Sequence, residues 1–173
     1  LASVLPLLFY QKRGMWYSLS VVVGMLVMCM TYQAASGIFP MFVVLLTLIW
    51  YVRKEDLKKI GSFILCSAVS YGIGVGIFFL FIMKHVSTYV SNGLADLSGI
   101  IAHYKTYLNY VRTDFRKLCL IVIALVVLCF VCRMVFESQR NKVITLMLSV
   151  VVAGVMFLLS FGLYPVLEEP LFE

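Results

Sequence analysis

The sequence predicts an all-α fold, a polytopic transmembrane helical bundle of about five full spans plus one partial, and three observations carry that prediction. Of 173 residues, 63% are hydrophobic and 13% are charged, with a mean hydropathy of +1.04. A soluble domain has about 45–50% apolar and about 25% charged residues, so one small soluble core cannot absorb this much apolar surface. The charges fall in clusters between apolar runs close to the ~20 residues that a helix needs to cross a hydrocarbon core. Those runs are themselves nearly free of ionisable side chains. An ordinary soluble enzyme and a disordered chain are excluded. The net charge of +6 does not indicate nucleic acid, because in a membrane chain a basic excess belongs to the cytoplasmic loops.

The elements follow in order. Leu1–Tyr10 reads as the end of a partial span, too short to cross alone. With the apolar start LASVLPLLFY and the end LEEPLFE, the chain reads as a single transmembrane region over 1–173, a fragment of a larger membrane protein. Gln11-Lys12-Arg13-Gly14 is a basic turn, and Met15–Tyr32 is a span without charge. Gln33–Gly37 is a short polar turn. Pro40 then sits in the first turn of the next span, where its missing N–H does least harm, and that span runs to about Val52. A charged loop over Arg53–Lys59 leads to a span over Ile60–Met83. Lys84–Lys117 is the one long connection. Leu118–Phe136 crosses again, with Arg133 near enough to its end to snorkel. Glu137–Lys142 is a charged turn, Val143–Leu163 crosses last, and Tyr164–Glu173 emerges.

Orientation follows from Lys and Arg. Lys12, Arg13, Arg53, Lys54, Lys58, Lys59, Arg133, Arg140 and Lys142 are nine of the fourteen, and they belong to one side, in three short loops with Arg133 snorkelling to the third. Those loops are expected to be cytoplasmic. The 84–117 connection and the Glu-rich tail then face outside, which is the periplasm for a Gram-negative source. Within the long loop, Leu94, Leu97, Ile101, Tyr104, Leu108 and Val111 recur in alternating steps of three and four, one face of a helix. Such a helix, tethered between spans, is expected to lie in the membrane interface, either as a platform beside a lipid-linked substrate or as a plain connector.

Candidate chemistry is confined to the same side. Glu168 and Glu169 are adjacent carboxylates past the last span, able to serve as a base for an acceptor hydroxyl or to hold a metal. The bland reading is an exposed acidic turn before Pro170. Tyr32-Gln33 places a phenol and an amide at a span end, for a sugar hydroxyl or for capping the turn. Tyr104 and Arg112 of the loop helix join them as substrate-binding candidates. His85 and His103 are too far apart for a metal motif, so no metal site is visible, although a divalent cofactor stays open. Cys129-Phe130-Val131-Cys132 lies inside an apolar helix and reads as packing, not as a redox loop. Ala68, Gly72 and Gly76 are expected to form a ridge of small residues for close helix packing.

The segment GMLVMCMTYQAASGIFPMFVVLLTLI resembles the span–Tyr-Gln–span hairpin of the Gtr-family (type II) glucosyltransferases that modify bacterial O-antigen. STYVSNGLADLSGIIAHYKTYLNYV and SFGLYPVLEEPLFE are similar to a later outer loop and to the late span with the loop after it. The resemblance covers most of the chain. It implies a GT-C-like, multi-pass enzyme of the bacterial inner membrane. Such an enzyme transfers glucose from a polyprenyl-phosphate carrier to a cell-surface polysaccharide on the outer face. It also implies that the main catalytic loop lies before the region present here, so only Tyr32 and Gln33 match a family position. The alternative is a polysaccharide flippase or polymerase subunit. A flippase needs polar residues lining a cavity, which these spans lack. A polymerase needs a larger Arg-rich outer loop, of which Arg112, Arg116 and Lys117 are a thin version.

Overall fold

A computed structural model describes residues 6, 9, 14–31, 33–83 and 95–166, with the side chains of 31, 33, 34, 82, 83 and 164 left aside. Among these residues every regular element is helical. They are α1 (Met15–Thr31), a 3₁₀ segment (Gln33–Gly37), α2 (Ile38–Val52), α3 (Leu57–Ile77) continued by a π-helical turn (Phe78–Met83), α4 (Leu97–Asp114), α5 (Lys117–Glu137), α6 (Lys142–Leu159) and a final 3₁₀ turn (Tyr164–Val166). Four stretches are long and apolar enough to cross a membrane: Ala35–Val52, Leu57–Phe81, Lys117–Glu137 and Lys142–Leu159. Helix α1, at 17 residues, is a shorter apolar helix. The partial span assigned to Leu1–Tyr10 lies outside the described residues apart from positions 6 and 9.

Local chemistry sets the helix ends. Asp56 accepts from the Lys58 N–H at 3.1 Å to cap α3, Asp96 accepts from Gly99 at 2.8 Å to cap α4, and Asn141 accepts from Val143 at 2.9 Å to cap α6. Helix α2 ends in a Schellman motif. Glu55 N–H donates to the Trp50 carbonyl and Lys54 N–H to that of Tyr51, with Lys54 in the left-handed region at φ 61°. The last span is shorter than expected. Helix α6 stops at Leu159, and the chain turns through Gly162, also left-handed at φ 61°.

In space α3 lies between α1 and α2; α2 meets α6 and touches α5 more lightly, and α5 packs mainly on α6. The α1–α3–α2 core joins Tyr17, Val21, Phe39, Val43 and Phe63, with the Trp50 and Phe63 rings 4.8 Å apart. Ser67 donates to the Phe63 carbonyl at 2.7 Å, so the Tyr17 hydroxyl is the donor in its 2.6 Å bond to Ser67 Oγ. A second core joins α2 to α6 through Leu48, Val52 and Val152. Helix α5 is exposed along nearly its whole length, which an apolar helix tolerates only in hydrocarbon.

The expected small-residue ridge is corrected by the structure. Among the described residues, a Cβ on Gly72 or Gly76 would meet nothing within 4 Å. The close approach is at Gly74, on the other side of α3, where a Cβ would stand 3.0 Å from Met25 Cβ of α1. All three glycines share one helix, and only the position of α1 decides which of them is crowded.

The two ends of the bundle differ in chemistry. At one end the 53–56 and 138–141 loops are tied together. Arg140 donates from Nε to the Tyr51 carbonyl and from a terminal nitrogen to that of Glu55, each at 3.0 Å, and its guanidinium lies 4.8 Å from the Tyr51 ring centre. Gln139 N–H adds a bond to the Val52 carbonyl at 3.1 Å. Arg53, Lys54, Lys58, Lys59, Arg133, Arg140 and Lys142 therefore gather at this basic end. The opposite end carries the 33–37 segment, α4 and the turn after α6.

Candidate functional site at the α4 end

Three segments far apart in sequence meet at the end away from the basic loops. The first is the 3₁₀ segment Gln33–Gly37. Its Ser36 is buried, accepts from Leu163 N–H on Oγ at 3.0 Å, and offers its carbonyl to the Tyr71 hydroxyl at 3.3 Å. Gly37 passes so close to α6 that a Cβ there would overlap the Leu159 carbonyl oxygen. Its own backbone is right-handed at φ −70°, so glycine is required here by contact and not by conformation.

The second segment is α4. Ser98 Oγ and Gly99 N–H both donate to the Asp96 carboxylate, which holds that carboxyl below its usual range, the Ser98 bond being the larger cause. The N–H of Ala95 donates to the Val166 carbonyl at 3.0 Å and ties the start of α4 to the third segment, the turn after α6. Phe161 in that turn receives Tyr107 in a stacked contact at 5.3 Å and Tyr104 edge-on at 5.9 Å. His103 Nδ1 lies 3.1 Å from the Pro165 carbonyl. A carbonyl only accepts, so Nδ1 carries the hydrogen, and in the neutral ring Nε2 keeps its lone pair.

The packed face of α4 is thus Ile100, His103, Tyr104, Tyr107 and Val111, all half-buried. The apolar stripe read from the sequence is divided. Tyr104 and Val111 belong to the packed face, whereas Leu97, Ile101 and Leu108 remain 77%, 50% and 43% exposed. The aromatic cluster on Phe161 sets this rotation, because rings gain more from packing on one another than leucines gain from the same turn.

Of the sequence candidates, Tyr104 is built into the site. Partial burial raises its phenol pKa, so it stays a neutral donor, and its hydroxyl reaches the Leu158 carbonyl at 3.5 Å, the long limit of a hydrogen bond. Arg112 lies in the last turn of α4, exposed, where a cation suits the helix C-terminus. Gln33 opens the 3₁₀ segment at the same end. Tyr32, Glu168 and Glu169 lie outside the described residues. Among the described residues no group of three or more His, Cys, Asp or Glu could hold a metal ion. Sequence reasoning weighed His103 only as a metal ligand and did not weigh Phe161 or Pro165. The one local signal was the cluster Phe161-Gly162-Leu163-Tyr164-Pro165, which marks a turn with aromatic content.

Comparison with known proteins adds one finding. The family model described as Glucosyl transferase GtrII matches residues 1–173, the whole chain. No curated protein and no solved structure matches.

Proposed function

The chain belongs to the glucosyl transferase GtrII family, and on that premise we propose that it is the membrane-embedded part of an enzyme moving glucose from a polyprenyl-phosphate carrier to a cell-surface polysaccharide such as O-antigen. In this reading the basic end faces the cytoplasm, and the α4 end faces outward from a bacterial inner membrane, with 84–117 as an outer loop. The observation that carries the reading is the seating of α4 on the turn after α6, which leaves Leu97, Ile101 and Leu108 exposed along one edge. A helix held this way forms a ledge at the bilayer surface. Its apolar edge suits a polyprenyl chain, and its polar face suits a sugar. Tyr104 and Arg112 are the ledge's candidates for contact with the sugar and its phosphate. Tyr32 and Gln33 supply polar groups at the neighbouring span end. Glu168 and Glu169 are the candidates for base chemistry on the acceptor hydroxyl.

The test is a transfer assay on the full-length protein in membranes, with radiolabelled polyprenyl-phosphate glucose and the host polysaccharide. Label should move to the polysaccharide. The double substitution Glu168→Gln, Glu169→Gln should slow it by about 10²-fold or more, the lower range for loss of a general base. Turnover at the wild-type rate by the double variant removes those carboxylates from the mechanism. No transfer by a folded protein moves the weight to a flippase or polymerase subunit.

A further inference from the structure

Helices α2 and α5 run in the same direction but touch only lightly, and a crevice opens between them. At the basic end it holds a cavity of about 680 Å³ whose walls include Leu45, Ile49 and Phe130 and whose mouth carries Arg53, Arg133, Glu137 and Gln139. A second cavity of about 400 Å³ continues it towards the α4 end, again walled by Leu45 and Phe130, then by Met41, Val126 and Met156. We propose that this crevice binds one membrane phospholipid with a net anionic headgroup, its phosphate held by Arg53 and Arg133 and an acyl chain laid along Leu45, Phe130 and Met41.

The charges at the mouth are complementary to such a headgroup. Arg133 Nε is paired with Glu137 at 2.8 Å, which leaves the mouth with one surplus cation, Arg53 at the C-cap of α2. Among the described residues Arg53 is in no ion pair. A guanidinium presents a planar fork of donors that matches phosphate oxygens. Gln139 also lines this mouth. A free anion would use only this mouth. The inner cavity is lined by apolar side chains apart from Ser160, so water gains too few partners to fill it. The length also fits. Met41 and Arg53 are twelve residues apart on α2, roughly 18 Å at 1.5 Å per residue. One leaflet of hydrocarbon is about 15 Å deep. The headgroup mouth lies at the end opposite to α4, and the proposal does not depend on the transferase reading.

The test uses the full-length protein in phosphatidylcholine vesicles carrying a trace of chain-spin-labelled phosphatidylglycerol or phosphatidylcholine. The immobilised fraction should be several-fold larger for phosphatidylglycerol. Arg53→Gln should lower that preference roughly fivefold, the scale of one cation at an anionic membrane surface. Glu137→Gln should raise it, because the headgroup then no longer shares Arg133 with a carboxylate. Lys142→Gln, at the same end but outside the crevice, should leave it unchanged. If Arg53→Gln does not fold, the Glu137→Gln and Lys142→Gln pair still decides. Equal immobilisation of both lipids, or a loss as large with Lys142→Gln, overturns the proposal. Competition by millimolar glycerol phosphate overturns it too, since the site would then recognise a free phosphate and not a lipid.

Discussion

Gly37→Ala tests how the α4 end is assembled. The added methyl would overlap the Leu159 carbonyl oxygen, stand 2.9 Å from the Leu159 carbonyl carbon and 3.2 Å from Gly162 Cα. These neighbours are backbone atoms, which cannot turn aside as a flexible side chain does. Relief therefore means parting the 33–37 segment from the end of α6. Overpacking of this kind costs about 1–3 kcal/mol. Parting the two also breaks the 3.0 Å bond from Leu163 N–H to Ser36 Oγ, worth about 1 kcal/mol. The expected loss is about 2–4 kcal/mol. Gly72→Ala is the control, because in mid-helix it meets nothing within 4 Å among the described residues and should gain up to about 1 kcal/mol from helix propensity. Unfolding of the full-length protein in mixed micelles, titrated with a denaturing detergent, reads both variants on one scale. A Gly37→Ala protein as stable as Gly72→Ala refutes the contact.

Three further outcomes are expected. Tyr17→Phe deletes a buried donor to Ser67 yet leaves Ser67 bonded to Phe63, so the same titration should show a loss of about 0.6–1.5 kcal/mol; no loss would mean that bond is absent in the membrane. Arg140→Ala removes two bonds at 3.0 Å, one to the Tyr51 carbonyl in the last turn of α2 and one to the Glu55 carbonyl in the loop, and should cost about 1–2 kcal/mol, with Arg140→Lys restoring only part because a single ammonium cannot span both; full rescue by lysine would reduce the contact to charge alone. The Asp96 cap favours the ionised carboxyl. Its stabilisation of the α4 start is therefore present above the ordinary carboxyl pKa of 3.8 and is lost as pH falls below it. A spin label at Leu97 should keep its mobility from pH 8 to 5 and loosen below about pH 4. Loosening already near pH 6 would mean that a group other than the Asp96 carboxylate holds the start of α4.

The spans were legible because hydropathy is a local property, and the caps that the structure adds are local too. Asp56, Asp96 and Asn141 each cap a helix from within three residues. What was not legible depends on partners elsewhere in the chain. Gly72, Gly74 and Gly76 look equivalent in a string, yet only Gly74 faces α1. The stripe on α4 was correct as a helix, but the face that packs is chosen by Phe161, more than fifty residues further on. Tyr104 was visible in the sequence as part of that stripe, whereas its packing on Phe161 was not. His103 was undervalued because its Pro165 partner is 62 residues away. The π-helical turn at Phe78–Met83 has no pattern in the sequence that separates it from the α-helix before it.

The two ends of the bundle hold together by different forces, and this difference can be measured. At the basic end the ties are a guanidinium on backbone carbonyls, with Lys54 occupying a left-handed position where glycine would cost less. A loop held this way keeps its charges in water, so added salt should weaken any attraction of Lys54, Lys58 and Lys59 to anionic lipid but leave the carbonyl bonds of Arg140 intact. At the α4 end the ties are rings on Phe161, the close pass of Gly37 and neutral hydrogen bonds, none of which salt screens. Mobility at α4 should therefore be indifferent to ionic strength and sensitive to volume, with Phe161→Ala freeing the helix. On the function proposed above, an anionic, phosphate-linked donor would gain from such an arrangement. The rings and neutral hydrogen bonds that hold α4 would not compete electrostatically with such a donor, and Arg112 is exposed beside them.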